Sequence, residues 1–320
     1  MPPSLRALLD GLIDYAGLFP PASLDLDDAA ARYARYRSGP DAWMLGRFIA
    51  PAARLGGLDP HVARFAGPPL RVSVLAANVA TTPEVFPAVR EAVAAARAFE
   101  ERHAGRAVAD RFEIRAPTGI DAKAFGDLVA AAEESVARDA GEPDIVFHEV
   151  PVADTRAVAM AAKVVADHNQ RLGRVAAGVK FRVGGETPDD FPSVPEVADA
   201  LVEVRDADVH FKATAGLHHP SRRPAPDVPG AIMHGFVNVF GAAALAHARR
   251  LDSAALQRVL AEERLDRLIF DDDGFAWNGY GATAQEVAAA RAEFCTTFGS
   301  CSFDEPRDDL RAAGVGIGRR

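Results

Sequence analysis

The chain has 320 residues, 49% of them apolar and 25% charged, with a net charge of −9. A chain of that size can bury a large core without staples, and its acidic balance excludes a general nucleic-acid binder, which needs a basic face for phosphates. Apolar runs are broken by charge well before about eighteen residues and the first residues lack a basic-then-apolar pattern, so neither a membrane span nor a secretory signal is expected.

The two cysteines, Cys295 and Cys301, form no C-x-x-C pair and no disulfide framework, which points to reduced thiols in a cytoplasmic protein. A small anionic substrate stays compatible with the charge, because a local basic pocket can sit in an acidic protein.

Ser4 can cap a short helix to Leu12. The apolar stretch 13–21, closed by Pro20 and Pro21, is either a strand or a docked loop that plugs one end of the fold or carries Asp14 and Tyr15 to its mouth. A helix is predicted over 25–37, with Leu26, Ala29, Ala30, Tyr33 and Tyr36 on one face. Strands are predicted at 45–51, 70–78, 111–117, 144–151, 177–183 and 209–215. Helices are predicted between them: 82–103, 121–139, 154–171 and 194–205. Beyond 215, the segment 221–230 reads as a Pro- and Arg-rich loop, and 232–250 and 253–263 as helices. A hairpin is expected over 268–277, a helix over 283–294, a last strand and loop over 297–303, and a helix from Asp304 or Glu305. The tail 313–320 is Gly-rich and expected to fray.

Strand–helix alternation over at least 45–215 predicts a parallel sheet. Strands buried on both faces of an open sheet are almost wholly apolar, whereas these carry charge on one face, as the lining of a barrel mouth allows. The expected fold is therefore a single α/β domain, a (β/α)₈ TIM-type barrel with N-terminal and C-terminal helical extensions. Residues 1–44 form an extension or the first β/α unit, 45–303 the barrel, and 304–320 the last helix and tail. If the stretch from Ile13 is the first strand, Lys180 lies on strand six; if the barrel opens near Phe48, Lys212 does. No G-x-G-x-x-G follows a strand and no Walker loop is present, so dinucleotide and P-loop readings lose their support.

Residues two apart on a strand share a face. That groups Glu113 with Arg115, Lys180 with Arg182, and His210 with Lys212 and Thr214, leaving Phe112, Ile114, Val179, Phe181, Phe211 and Ala213 for the helix-covered side. Either His148 or Glu149 points inward, and Glu149 is favoured as a counter-charge. The ring then sets four cations, Arg115, Lys180, Arg182 and Lys212, against two carboxylates. Such a cluster is expected to lower lysine pKa values and to receive a carboxylate or phosphate. The plainer alternative is a salt-bridged barrel layer with no chemistry. Gly184 and Gly185 after the first lysine strand let backbone N–H groups approach an anion, or simply make a turn.

His218 and His219 follow the second lysine strand, where barrel enzymes keep catalytic groups; His234 and Asn238 come soon after. A metal site would recruit His218 or His219, His234 and Glu149, although no H-E-x-x-H spacing supports one. No cofactor is expected, a divalent metal being the requirement of that alternative alone. Cys301 as a nucleophile would need a histidine or cation beside it. Asp271-Asp272-Asp273-Gly274 lacks a calcium loop's terminal Glu and reads as a solvated turn.

Phe-Lys-Ala-Thr-Ala-Gly (211–216) and Gly-Val-Lys-Phe-Arg-Val-Gly-Gly (178–185) together resemble the two lysine strands of class I aldolases of the deoxyribose-phosphate aldolase type, in reversed order. The resemblance spans some forty residues. It implies an α/β barrel with a lysine that forms a Schiff base and a second that tunes it. Lys212 or Lys180 would be the nucleophile, with Glu149 or Glu113 handling protons.

The leading expectation is thus a lyase that forms a lysine imine with a small anionic metabolite. Its working residues are Lys212, Lys180, Glu149, Glu113 and His218, and its binding residues are Arg115, Arg182, Gly184, Gly185, His210, Thr214, His219 and Asn238. A metal-assisted hydrolase or isomerase, and a non-catalytic small-anion binding protein, are the alternatives.

Overall fold

The computed structural model describes residues 1–65, 67–137 and 145–314. Eight parallel strands close into a barrel: β1 (Ile13–Tyr15), β2 (Leu45–Pro51), β3 (Leu70–Leu75), β4 (Ala107–Arg115), β5 (Ile145–Pro151), β6 (Ala177–Arg182), β7 (Phe211–Thr214) and β8 (Cys295–Ser300). Each pairs with its successor, and β8 returns to β1 with Asp14 opposite Gly299. The stretch from Ile13 is therefore the first strand and Lys180 lies on the sixth.

The main helices are α1 (Pro3–Leu9), α2 (Leu26–Arg37), α3 (Thr82–His103), α4 (Ala122–Val136), α5 (Thr155–Leu172), α6 (Val194–Asp206), α7 (Phe236–Arg249), α8 (Ser253–Leu260), α9 (Ala284–Glu293) and α10 (Asp304–Ala312). Local chemistry sets their starts. The Asp121, Asp154 and Asp252 carboxylates accept backbone N–H bonds at α4, α5 and α8, and Ser193 with Glu196 and Thr283 with Glu286 form capping boxes at α6 and α9. In α5, Val158, Ala161, Ala162 and Val165 repeat at helical spacing and are buried against the barrel.

The strands' helix-covered face is apolar as expected. Phe211 stacks on Phe181 of β6 at 5.1 Å and on Phe240 of α7 at 5.9 Å. No helix among the described residues is long and apolar enough to cross a membrane.

The region between β7 and β8 departs from the expected pattern. Arg223–Pro224 and Ile232–Met233 form a small antiparallel pair, and α7 begins only at Phe236, after Gly235. The expected hairpin is a three-stranded sheet of Ile269–Phe270, Phe275–Trp277 and Tyr280–Ala282. Its second turn is Asn278-Gly279, both residues at positive φ, the tight hairpin signal the sequence carried next to the more conspicuous aspartates. The Asp271 carboxylate accepts the backbone N–H groups of Asp273 and Gly274, so it serves the turn itself. The expected end of α4 near Asp139 and start of β5 at Asp144 lie outside the described residues, as do residues 315–320 of the expected tail.

Candidate active site at the barrel mouth

A cavity of about 430 Å³ opens at the carboxyl ends of the strands. Its wall takes Leu75, Arg115, Glu149, Arg182, Thr214 and Ser300 from the ends of β3 to β8, and Phe19, Pro20 and Pro21 from the segment after β1. Barrel strands end here by construction, so residues just beyond them converge on one space.

The floor is a chain of alternating charges. Lys180 Nζ lies 2.9 Å from Glu149 Oε2 and 2.7 Å from Glu113 Oε2. The other Glu113 oxygen, Oε1, accepts from Lys212 Nζ at 2.5 Å and from Ser73 Oγ at 2.6 Å. Lys212 Nζ also donates to Asp14 Oδ2 at 3.0 Å. Asp14 is completed by the Thr297 hydroxyl at 2.7 Å and by the Arg47 backbone N–H at 2.7 Å.

Register explains the arrangement. Lys180 and Lys212 stand side by side in the β6–β7 ladder, where like charges repel. Glu113 reaches between them from β4 and gives one oxygen to each. Lys180, Glu113 and Glu149 line the cavity; Lys212 lies beneath them and is not part of the lining.

These contacts correct the expectation that crowded cations would lower a lysine pKa. Burial alone would lower that of Lys180, but Glu113 and Glu149 outweigh it and raise it above its ordinary value. Burial would likewise raise Glu113, yet Lys180 and Lys212 hold its carboxyl far below the usual range. Glu149 is lowered too, burial being overcome by Lys180 and then the arginines. The structure brings in Asp14 as a third carboxylate and turns Arg115 and Arg182 to the exposed rim. Arg115 Nε stays 3.8 Å from Glu149 Oε1. The floor thus carries one excess negative charge (Asp14, Glu113 and Glu149 against Lys180 and Lys212), and the two rim arginines place positive charge beside it, with Glu186, Asp227 and Glu305 also lining the cavity.

Other expected residues divide clearly. Glu149 faces inward while His148, on the opposite face, is fully buried against the edge of Phe125. Thr214, Gly185, His218 and His219 line the cavity. Gly184 serves packing: a Cβ there would fall 2.6 Å from the Cα of Gly216, which itself turns at positive φ after β7.

His210 does not join the cluster. It lies below Lys212, toward the barrel's opposite end, and its Nε2 meets the Ala292 carbonyl at 3.0 Å. Asn238 is buried away from the cavity, where its amide donates to the Val259 and Glu262 carbonyls and its Oδ1 accepts the Arg222 N–H. His234 is buried with Nε2 2.7 Å from the Pro192 carbonyl, so the grouping of Glu149, His218 or His219, and His234 around one metal is not assembled.

Two residues were raised by the sequence without their partners. Asp14, a carboxylate inside an apolar run, carried the same signal as the lysines but not the knowledge that β8 and β1 meet. Cys301 lies 3.8 Å from His218 Nδ1, and Glu305 Oε2 lies 3.3 Å from that same nitrogen. Its histidine neighbour exists only because β7 and β8 are adjacent. The sequence matches no model of a known protein family and no curated protein.

Proposed function

We propose that the protein is a lyase that takes a small anionic aldehyde, keto acid or sugar phosphate at the barrel mouth and forms an imine with Lys180. One observation carries the reading: the Lys180 amine faces the cavity with a carboxylate on either side. The local resemblance to aldolase lysine strands supports the reaction class and leaves Lys212 or Lys180 as the nucleophile; exposure to the cavity favours Lys180. Lys212, sealed beneath, keeps Glu113 ionised and in position. The rim arginines suit a carboxylate or phosphate on the substrate.

The proton-holding groups are in reach. Lys180 passes a proton to Glu149, and the neutral amine attacks the substrate carbonyl to give a carbinolamine. Glu149 returns the proton to the carbinolamine hydroxyl, which leaves as water. The resulting iminium carries the same single positive charge as the ammonium it replaces, so Glu113 and Glu149 stabilise it in place. On a substrate with a hydroxyl on its β carbon, Glu149, ionised again, takes that hydroxyl's proton as the Cα–Cβ bond breaks. The β fragment leaves as an aldehyde, and the bond's electron pair enters the iminium to form an enamine. Glu149 returns the proton to Cα before hydrolysis frees the product and Lys180.

Borohydride reduction in the presence of anionic aldehydes and α-keto acids, read by intact mass and peptide mapping, tests this. A stable adduct on Lys180 is expected. Substrate turnover without any adduct would overturn it.

A second reading, a non-catalytic small-anion binder, draws on the same carboxylates, which keep Lys180 protonated. It predicts ligand-induced stabilisation with neither turnover nor adduct.

A further inference from the structure

We propose that His218, Cys301 and Glu305 form a three-ligand site for a zinc-type divalent metal at the cavity rim, with its remaining coordination position turned to the cavity. The site shares no residue with the lysine cluster, so it stands or falls separately from the imine reading.

The fold builds it from three adjacent pieces. His218 follows the sharp turn after β7, where Ala215 and Gly216 both take positive φ. Cys301 directly follows β8, the strand paired with β7. Glu305 lies in the first turn of α10, whose backbone N–H is taken up by Ser302 Oγ at 3.2 Å. All three side chains line the same cavity.

The geometry separates a metal site from a proton relay. In a Cys–His–carboxylate relay, the two imidazole nitrogens face different partners. Here a single nitrogen, His218 Nδ1, faces both Cys301 Sγ at 3.8 Å and Glu305 Oε2 at 3.3 Å. The three donor atoms lie within 4.8 Å of one another. Tetrahedral zinc with ordinary Zn–N, Zn–O and Zn–S bonds separates such donors by about 3.3 to 3.6 Å, so His218 already stands near that separation from both partners and the remaining closure falls between Cys301 and Glu305.

The donor set fits as well. A thiolate, a carboxylate and a neutral imidazole supply two negative charges to a divalent ion, and a thiolate with an imidazole selects zinc over magnesium or calcium. Three protein ligands leave a position for water or for an anionic oxygen of the cavity's ligand.

The test uses the untagged full-length chain, stripped with chelator and titrated with Co(II). One equivalent is expected to bring up a thiolate-to-cobalt charge-transfer band in the near ultraviolet, which Zn(II) removes by displacement. Cys301→Ser is expected to abolish the band. Glu305→Ala, at a mostly exposed side chain, should leave the metal-free melting temperature unchanged while weakening Zn(II) binding by more than the ~10- to 100-fold that loss of an outer-shell partner costs. Zn(II) should also protect Cys301 from iodoacetamide, with the fully buried Cys295 as an unreactive internal control. Absence of the band in the wild-type chain would overturn the proposal. So would alkylation of Cys301 that is indifferent to zinc, which is what a cluster holding only a proton would give, or wild-type affinity in Glu305→Ala.

Discussion

Glu149 and Lys180 stand opposite each other in the β5–β6 ladder, and their side chains meet 2.9 Å apart inside the barrel. Neighbouring parallel strands thus deliver an acid–amine pair at the cavity floor with no loop involved. Residues held by strands keep their positions better than residues on loops, which suits the proton exchange proposed for this pair.

Replacing Lys180 with Met should abolish both the borohydride adduct and turnover. The cavity keeps its rim arginines, so a small anion should still raise the melting temperature of the variant. Intact-mass trapping and thermal shift, run on the same preparation, check the two halves. An adduct that survives in Lys180→Met would move the nucleophile elsewhere.

Lys212→Met leaves Asp14 buried with its ammonium partner gone, while Glu113 keeps Lys180. Loss of one member of a buried ion pair costs about 3–5 kcal/mol, because the remaining charge is uncompensated. Urea unfolding of Lys212→Met should show a loss of that order. Adding Asp14→Asn should recover part of it by removing the stranded charge. A single variant as stable as the wild type would show that the pair carries no structural weight.

Arg115 and Arg182 are exposed at the rim, so removing them should cost little stability. The double variant Arg115→Gln, Arg182→Gln is expected to weaken binding of a small carboxylate or phosphate by at least ~10-fold, given the strength of charge-assisted bonds to arginine. Calorimetric titration with inorganic phosphate and with pyruvate measures this. Unchanged affinity for both would remove the rim from the binding site.

His148 supplies a pH dependence unconnected with the cavity. Burial, and secondarily the charge of His168, push its pKa down to about 3 from an ordinary value near 6.5. The unfolded chain therefore binds a proton that the folded chain refuses between those values, so stability falls as pH drops from about 6.5 toward 3. His148→Leu should flatten that part of the stability profile, which chemical denaturation at pH 7 and pH 5 can read. Asp110 adds a lower step. Burial would raise its pKa, but Arg47, Arg111 and Arg71 hold it near 2, so its contribution is lost only as pH falls from about 4 through 2. Equal slopes for wild type and His148→Leu between pH 7 and pH 5 would contradict the assignment.

Much of the barrel is legible in the sequence. Period-two alternation in stretches such as Val179-Lys180-Phe181-Arg182 separates a lining face from a helix-covered face whatever the partner strands are. Helix starts at Asp121, Asp154 and Thr283 follow from side chains that bond their own backbone. The region between β7 and β8 was harder, because its short strands carry little periodicity and the Asn278-Gly279 turn was overshadowed by three aspartates.

By itself the sequence determined that charge is buried on one face of several successive strands, since strand alternation and the cost of desolvating lysine act within a few residues. Only the tertiary structure decided who neutralises whom. Closure of β8 onto β1 brings Asp14 beneath Lys212, and β4 lies where Glu113 can divide its two oxygens between lysines on β6 and β7. That reverses the expected direction of the Lys180 pKa, because an ion's protonation depends on the nearest charges in space, and those came from strands remote in the chain. The meeting of His218, Cys301 and Glu305 has the same origin: β7 and β8 are adjacent in the barrel although roughly eighty residues separate them.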